Sequence, residues 1–198
     1  MIGQSKNRGF TLIELMVVII IAAILLTIAV PSFSSLIKRN NVDSLQSKLS
    51  SALATARTEA ASRNKVVRIC HSNDEATCSG TWSTGWIVFE DNDRDKKYSD
   101  GDVFISVYRN QGGYKVTSDP SDRTGISFNS QGFVMDGETL QLTICEPDGE
   151  QIYARGLFVN KSGLVMKTKD TDGDGKHNNP NPDADSSAVD SDGNLVCP

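Results

Sequence analysis

The chain has 198 residues, 20 Lys and Arg against 25 Asp and Glu, and a formal net charge of -5 at pH 7. That length leaves room for one export segment and one soluble domain with a real core, and it argues against a second globular domain. The acidic balance excludes a broad attraction to nucleic acid or anionic lipid and leaves only a local basic patch open.

The first nine residues are polar and carry Lys6 and Arg8; residues 10–30 then run apolar, interrupted by one charge, Glu14. As a helix rising ~1.5 Å per residue this run is ~31 Å long, the thickness of a bilayer's hydrocarbon core. Basic residues before the span, with no comparable cluster just after it, predict a cytoplasmic N-terminus and an exported C-terminal domain. A secretory signal peptide would place a small-residue cleavage site after the apolar run. Ala29-Val30-Pro31-Ser32 matches that poorly, and the helical pattern continues through it. A carboxylate inside a spanning helix costs about 2.5 to 3.5 kcal/mol at the centre, so Glu14 demands a partner or a route to the headgroups. A surface carboxylate snorkelling to water is the competing reading. Pro31 is expected to bend the helix where it leaves the bilayer.

Beyond Pro31, Leu45, Leu49, Leu53, Ala56 and Ala60 recur at near-helical spacing while Lys48, Arg57 and Glu59 fall elsewhere on the wheel. The long helix is therefore expected to reach about Arg63. Strand-like segments follow at residues 66–70, 86–90, 103–108, 125–129, 140–145 and 157–159, separated by Gly and Asp/Asn clusters. The predicted architecture is an α+β ladle, a long N-terminal helix with an antiparallel sheet packed on its outer half. No nucleophile, base and orienting residue occur together, and no phosphate-binding glycine loop is present, so the chain is not expected to be an enzyme. Its two histidines, His71 and His177, read as solvated or packed loop side chains. Cys70, Cys78, Cys145 and Cys197 form an even set without CxxC spacing, which favours disulfides in an oxidising compartment over zinc or catalysis.

The run Arg8-Gly9-Phe10-Thr11-Leu12-Ile13-Glu14-Leu15 resembles the prepilin peptidase motif of type IV pilins and type II secretion pseudopilins. That resemblance implies cleavage after Gly9, N-methylation of Phe10, retention of the apolar helix as a filament core, and pairing of Glu14 with the Phe10 α-amine of a neighbouring subunit. Further on, Arg57-Thr58-Glu59-Ala60, Arg63-Asn64 and residues 67–70 look like the helix-to-strand junction of the GspH/FimT-type pseudopilin domain. Trp82 and Gly85-Trp86-Ile87-Val88-Phe89 look like its next hairpin. Ile126-Ser127-Phe128, Gly132, residues 142–145, Ala154-Arg155-Gly156-Leu157 and Ser162-Gly163 look like its closing strands. Coverage runs from Arg8 to about Lys167, and the acidic tail and paired cysteines are most similar to FimU-type minor pilins. The expected organisation is a leader at residues 1–9, a membrane or filament-core helix at 10–30, its amphipathic continuation at 31–64, a β-rich head at 65–169 and an acidic tail at 170–198. Four cysteines allow three pairings. The favoured one joins Cys70 to Cys78 around a short loop and Cys145 to Cys197, pinning the tail.

Two acidic loops have calcium-like spacing. Asp170-Thr171-Asp172-Gly173-Asp174-Gly175 places oxygen ligands at alternate positions with glycine sixth, although Asn181 stands at the twelfth position, where Asp183 or Asp185 could substitute. A solvated, partly disordered tail is the competing reading. The second loop, Asp91-Asn92-Asp93-Arg94-Asp95, has Lys96 where the glycine belongs.

By resemblance, then, the chain is expected to be a minor pilin, a non-catalytic subunit that helps initiate or cap a type IV pilus and so supports twitching, adhesion or DNA uptake. Implied partners are major and minor pilins, the prepilin peptidase and an inner-membrane assembly platform. The implied location is the inner membrane, with a periplasmic head that is carried into an extracellular filament. A minor pseudopilin of a type II secretion system is the alternative. FimT-type relatives bind DNA through a C-terminal Gly-Arg-x-Arg motif, but Gly163-Leu164-Val165-Met166-Lys167 stands in that place with only Lys167 and Lys169 positive, which disfavours DNA as a partner.

Overall fold

The computed structural model describes residues 10–180 and 189–197. Its single α-helix among these residues, α1, spans Leu12–Arg63 and continues through Pro31. The chain divides into two compact units, Met1–Arg39 and Asn40–Pro198. The division therefore falls within α1.

In the first unit the helix starts at a polar cap, where the Glu14 amide donates to Thr11 Oγ1 at 3.3 Å. No apolar stripe is set against a polar one here. Leu12, Ile13, Leu15, Met16 and the isoleucines and leucines up to Leu26 are all exposed. Such a helix needs apolar surroundings on every side.

In the second unit the same helix becomes one-sided. Val42, Leu45, Leu49, Leu53, Ala56 and Ala60 are buried, at intervals of three and four residues that place them on one face. The helix stops because Asn64 adopts the left-handed conformation at φ 55°, and the Lys65 amide reaches back to the Ala60 carbonyl at 3.2 Å. That is the wrap of a Schellman end, with asparagine in the place glycine usually takes.

Eight strands follow among the described residues. β1 (Val67–His71), β2 (Gly85–Glu90), β3 (Val103–Arg109) and β5 (Gly125–Phe128) form one antiparallel sheet in the order β3-β2-β1-β5. β4 (Lys115–Asp119), β6 (Leu140–Cys145), β7 (Arg155–Val159) and β8 (Val165–Lys167) form a second, ordered β4-β6-β7-β8. Ile69 pairs with Val88 on one side and Ile126 on the other, and Leu142 pairs with Leu157. These side chains join the helix face in one core with Phe128, Leu140 and Val159.

The single sheet expected from the sequence is thus two. The strands missed, β4 and β8, are both edge strands. β4 buries only Val116 and β8 buries nothing, so neither leaves the apolar signature that marks the central strands.

Polar ties hold α1 to β7 and to the loop at Gly132 in this unit. Gln46 Nε2 donates to the Gly156 carbonyl at 2.9 Å, Arg57 Nε to the Gly132 carbonyl at 3.0 Å, and Arg155 Nε to Asp43 Oδ1 at 2.7 Å. Gly163 lies close against the Gly132 carbonyl that Arg57 also contacts. Its φ is +78°, and a Cβ there would lie 2.1 Å from the Gly132 carbonyl oxygen.

Disulfides join Cys70 to Cys78 and Cys145 to Cys197, across 8 and 52 residues. The longer loop is the more stabilising, contributing ~4 kcal/mol in the chain-entropy model. The described residues of the tail pair with one another and with the head. Asn178 bridges to Lys169 and Asn194, Leu195 bridges to Val189, and Leu195 is fully buried.

Candidate functional site

Two regions carry the candidate chemistry, the start of α1 and the acidic loops of the second unit. At the start of α1, Gly9, on the amino side of the expected cleavage point, lies outside the described residues, as do Lys6 and Arg8. Phe10 is 81% exposed. Glu14 lies in the first helical turn, exposed, with Ile13 and Leu15 as exposed neighbours on either side. Phe10 and Glu14 are four residues apart along the chain, so one helical turn separates an α-amine at Phe10 from the carboxylate. A negative side chain there also complements the positive end of the helix. Among the described residues α1 is the one helix long and apolar enough to cross a membrane, and none of its apolar window is buried.

In the tail loop, one carboxylate oxygen each of Asp170, Asp172 and Asp174 lies within 4.8 Å of the others, and all three residues are exposed. Every one of their six carboxylate oxygens already accepts a hydrogen bond. The donors are the amides of Gly173, Gly175, Asp174 and Lys176 and the side chains of Asn178 and Asn194, at 2.7 to 3.3 Å. The Asn178 amide is the main cause that holds Asp172 below the usual carboxylate range. Asn181, Asp183 and Asp185 lie outside the described residues.

The hairpin loop between β2 and β3 is built differently. Asp91, Asp93 and Asp95 bring one oxygen each within 4.8 Å of the others, but Asp91 is only 2% exposed. Its amide is fixed to the Val66 carbonyl at 2.9 Å, where β2 leaves the sheet. Asp91 Oδ2 accepts the Lys96 amide at 3.2 Å, whereas Oδ1 is buried with no hydrogen-bond partner among the described residues. Burial pushes this carboxyl up, against the pull of the Lys96 and Arg94 amides. The sequence reading stops at Asp95, and the structure adds Asp102. Asp102 Oδ1 accepts the Asn92 amide at 2.8 Å and Oδ2 the Ser99 amide at 3.0 Å, so the end of the loop folds back over its beginning.

Neither histidine sits in a reactive constellation. His71 Nδ1 lies 3.1 Å from the Ser79 carbonyl, and His177 Nδ1 lies 3.1 Å from Thr168 Oγ1. In the short disulfide loop, Asp74 is held well below the usual carboxylate range by the Thr77 hydroxyl first and then by the Ala76 and Thr77 amides. Its role there is to shape the turn.

A family model described as type II transport protein GspH matches residues 46–163, and one for the prokaryotic N-terminal methylation motif matches residues 4–30. The chain belongs to the GspH family of minor pilins and pseudopilins. Pilin-like protein PilA1 of Thermus thermophilus is 31% identical over 115 residues, which are 58% of this chain and 68% of that protein. Two crystal structures of the type IV minor pilin FimU from Pseudomonas aeruginosa share the fold, with TM-scores of 0.53 and 0.51 at 18% and 16% identity. They cover 65% and 64% of this chain, and 88% and 92% of theirs. As a GspH-family pilin the chain carries an N-terminal methylation motif on an apolar helix, and its tail after residue 163 lies beyond the family match. The family implies assembly with other pilins and processing by a prepilin peptidase.

Proposed function

We propose that this chain is a minor pilin of a type IV pilus. Its leader is removed after Gly9, Phe10 is methylated, α1 is retained in the filament core, and the disulfide-braced head is displayed outside the cell. The observation that carries this reading is the change of character along one helix. The first unit exposes apolar side chains all round, and the second buries a single face. A lipid bilayer, and then a bundle of similar apolar helices from other pilins, are the two surroundings that suit such a surface.

Glu14 is the polar contact in this scheme. Removed from water among apolar helices, its carboxylate is stabilised by a cation, and the α-amine of an incoming subunit's Phe10 supplies one. A subunit of this kind helps to initiate or cap the filament and so supports twitching, adhesion or DNA uptake without turning over a substrate.

The test is a Glu14→Ala variant expressed from its native locus. The variant is expected to stay in the inner membrane at wild-type level and to disappear from sheared filaments, with at least a tenfold loss of surface pili or motility. Normal incorporation of Glu14→Ala into filaments would overturn the assembly role. Loss of secreted substrates with intact pili would instead favour the type II secretion pseudopilin. Direct DNA binding is disfavoured, because Lys167 sits on the edge strand β8 with its Nζ donating to Ser47 Oγ at 3.2 Å and the acidic loop follows at once.

A further inference from the structure

We propose that the loop joining β2 to β3 is a calcium site, with Asp91, Asp93 and Asp95 supplying its carboxylates and Asp102, held by the Asn92 and Ser99 amides, folding the end of the loop over them. Within the loop, residues 91–102 have the length and phase of a twelve-position calcium loop. Asp91, Asp93 and Asp95 hold positions one, three and five, Lys97 the seventh, which contributes a main-chain carbonyl, Ser99 the ninth and Asp102 the twelfth. The sixth position needs a sharp left-handed turn that glycine ordinarily provides. Lys96 occupies it and takes that conformation, with φ at 66°.

Spacing of acidic residues alone would not carry this. The observation that does is Asp91, 2% exposed, whose Oδ1 is buried and has no donor among the described residues, while one oxygen of the same carboxylate lies within 4.8 Å of oxygens of Asp93 and Asp95. A buried carboxylate oxygen left without a donor costs more than the hydrogen bond it forgoes, and a cation at the loop's centre removes that cost. The tail loop offers no such vacancy in its hydrogen bonding, since its six oxygens are all taken. Charge points the same way. Asp91, Asp93, Asp95, Asp100 and Asp102 outnumber Arg94, Lys96 and Lys97 in the loop, and Lys65 faces it from the end of α1, with Nζ donating to Asn92 Oδ1 at 2.8 Å.

All the ligands are oxygens, which selects a hard cation. A pliable loop with several carboxylates suits calcium better than magnesium, which holds its waters and demands a tighter octahedron. Aspartate in place of glutamate at the twelfth position reaches less far, so the affinity belongs with extracellular modules, on the order of 10⁻⁴ M.

The test is calorimetric titration of the chelator-stripped full chain in detergent with calcium chloride, and separately with magnesium chloride. Calcium is expected to bind at least tenfold more tightly than magnesium. Asp93→Asn with Asp95→Asn should weaken calcium at least tenfold, while Asp170→Asn with Asp172→Asn and Asp174→Asn leaves the hairpin site intact. The chelated hairpin variant should melt with the chelated wild type, which separates lost ligands from lost folding. If it does not fold, terbium luminescence decides. Tyr98 lies in the loop, with its ring against Phe89 and Phe104, so terbium at this site should be sensitised by it and lose at least half its emission in Tyr98→Phe. No calcium binding at millimolar concentration, binding unchanged by the Asp93 and Asp95 substitutions, a preference for magnesium, or terbium emission indifferent to Tyr98 would each overturn the site.

Discussion

His177 illustrates how a single side chain ties the tail to the head. Its ring lies against Thr168, its carbonyl accepts the amide of buried Leu195, and burial first, then the Arg155 charge, lowers its pKa below the ordinary value. The unfolded chain therefore binds this proton more readily than the folded one. Stability from His177 is complete above about pH 6.5 and is lost as pH falls from there toward the lower folded value. Melting of the wild type is expected to fall between pH 7.5 and pH 5.5 by more than that of His177→Gln, and equal falls would contradict the assignment. At this scale the sequence shows a lone charge inside an apolar run, and the structure places Glu14 exposed in the first turn of α1. The sequence was not readable where burial decides. Nothing in Asp91 as a letter says that it is covered, because that follows from the Val66 carbonyl fixing its amide at the end of β2. Asp102 belongs to the loop only once the hairpin has folded.

Among the elements, α1 gives the clearest contrast between its two parts. Leu53 is fully buried in the core against the sheets, and Leu25 is exposed. Leu53→Ala is expected to cost about 2 to 5 kcal/mol and to lower the Tm of the head, the usual toll of deleting a packed leucine. Leu25→Ala should leave that melting transition where it is. Equal effects at the two positions would contradict the division of α1 into a solvent-independent core face and an unpartnered apolar stretch. The helix was legible from Leu45 to Ala60 because packing imposes its period on the sequence. The central strands β1, β2 and β6 were legible because both faces are covered and their residues are nearly continuously apolar. β4 reads Lys-Val-Thr-Ser-Asp, and β8 has three residues, so an edge position leaves too few buried side chains to mark them.

For the whole molecule, the family match and the fold place the chain among minor pilins and pseudopilins, and the remaining question is how it is used. One chain combines a helix suited to lipid or to other helices with a head closed by two disulfides. Such bonds persist in an oxidising compartment, which agrees with the exported head proposed above. Both halves of that account meet in the mass and N-terminus of the mature protein. Intact mass and N-terminal sequencing of the chain from native membranes or sheared filaments, before and after reduction, therefore test it most directly. The expected result is a chain beginning at methylated Phe10 that gains about four hydrogens on reduction, as two disulfides require. A chain beginning near Ser32, or an unprocessed Met1, would contradict the retained filament-core helix and leave a secreted or membrane-tethered domain.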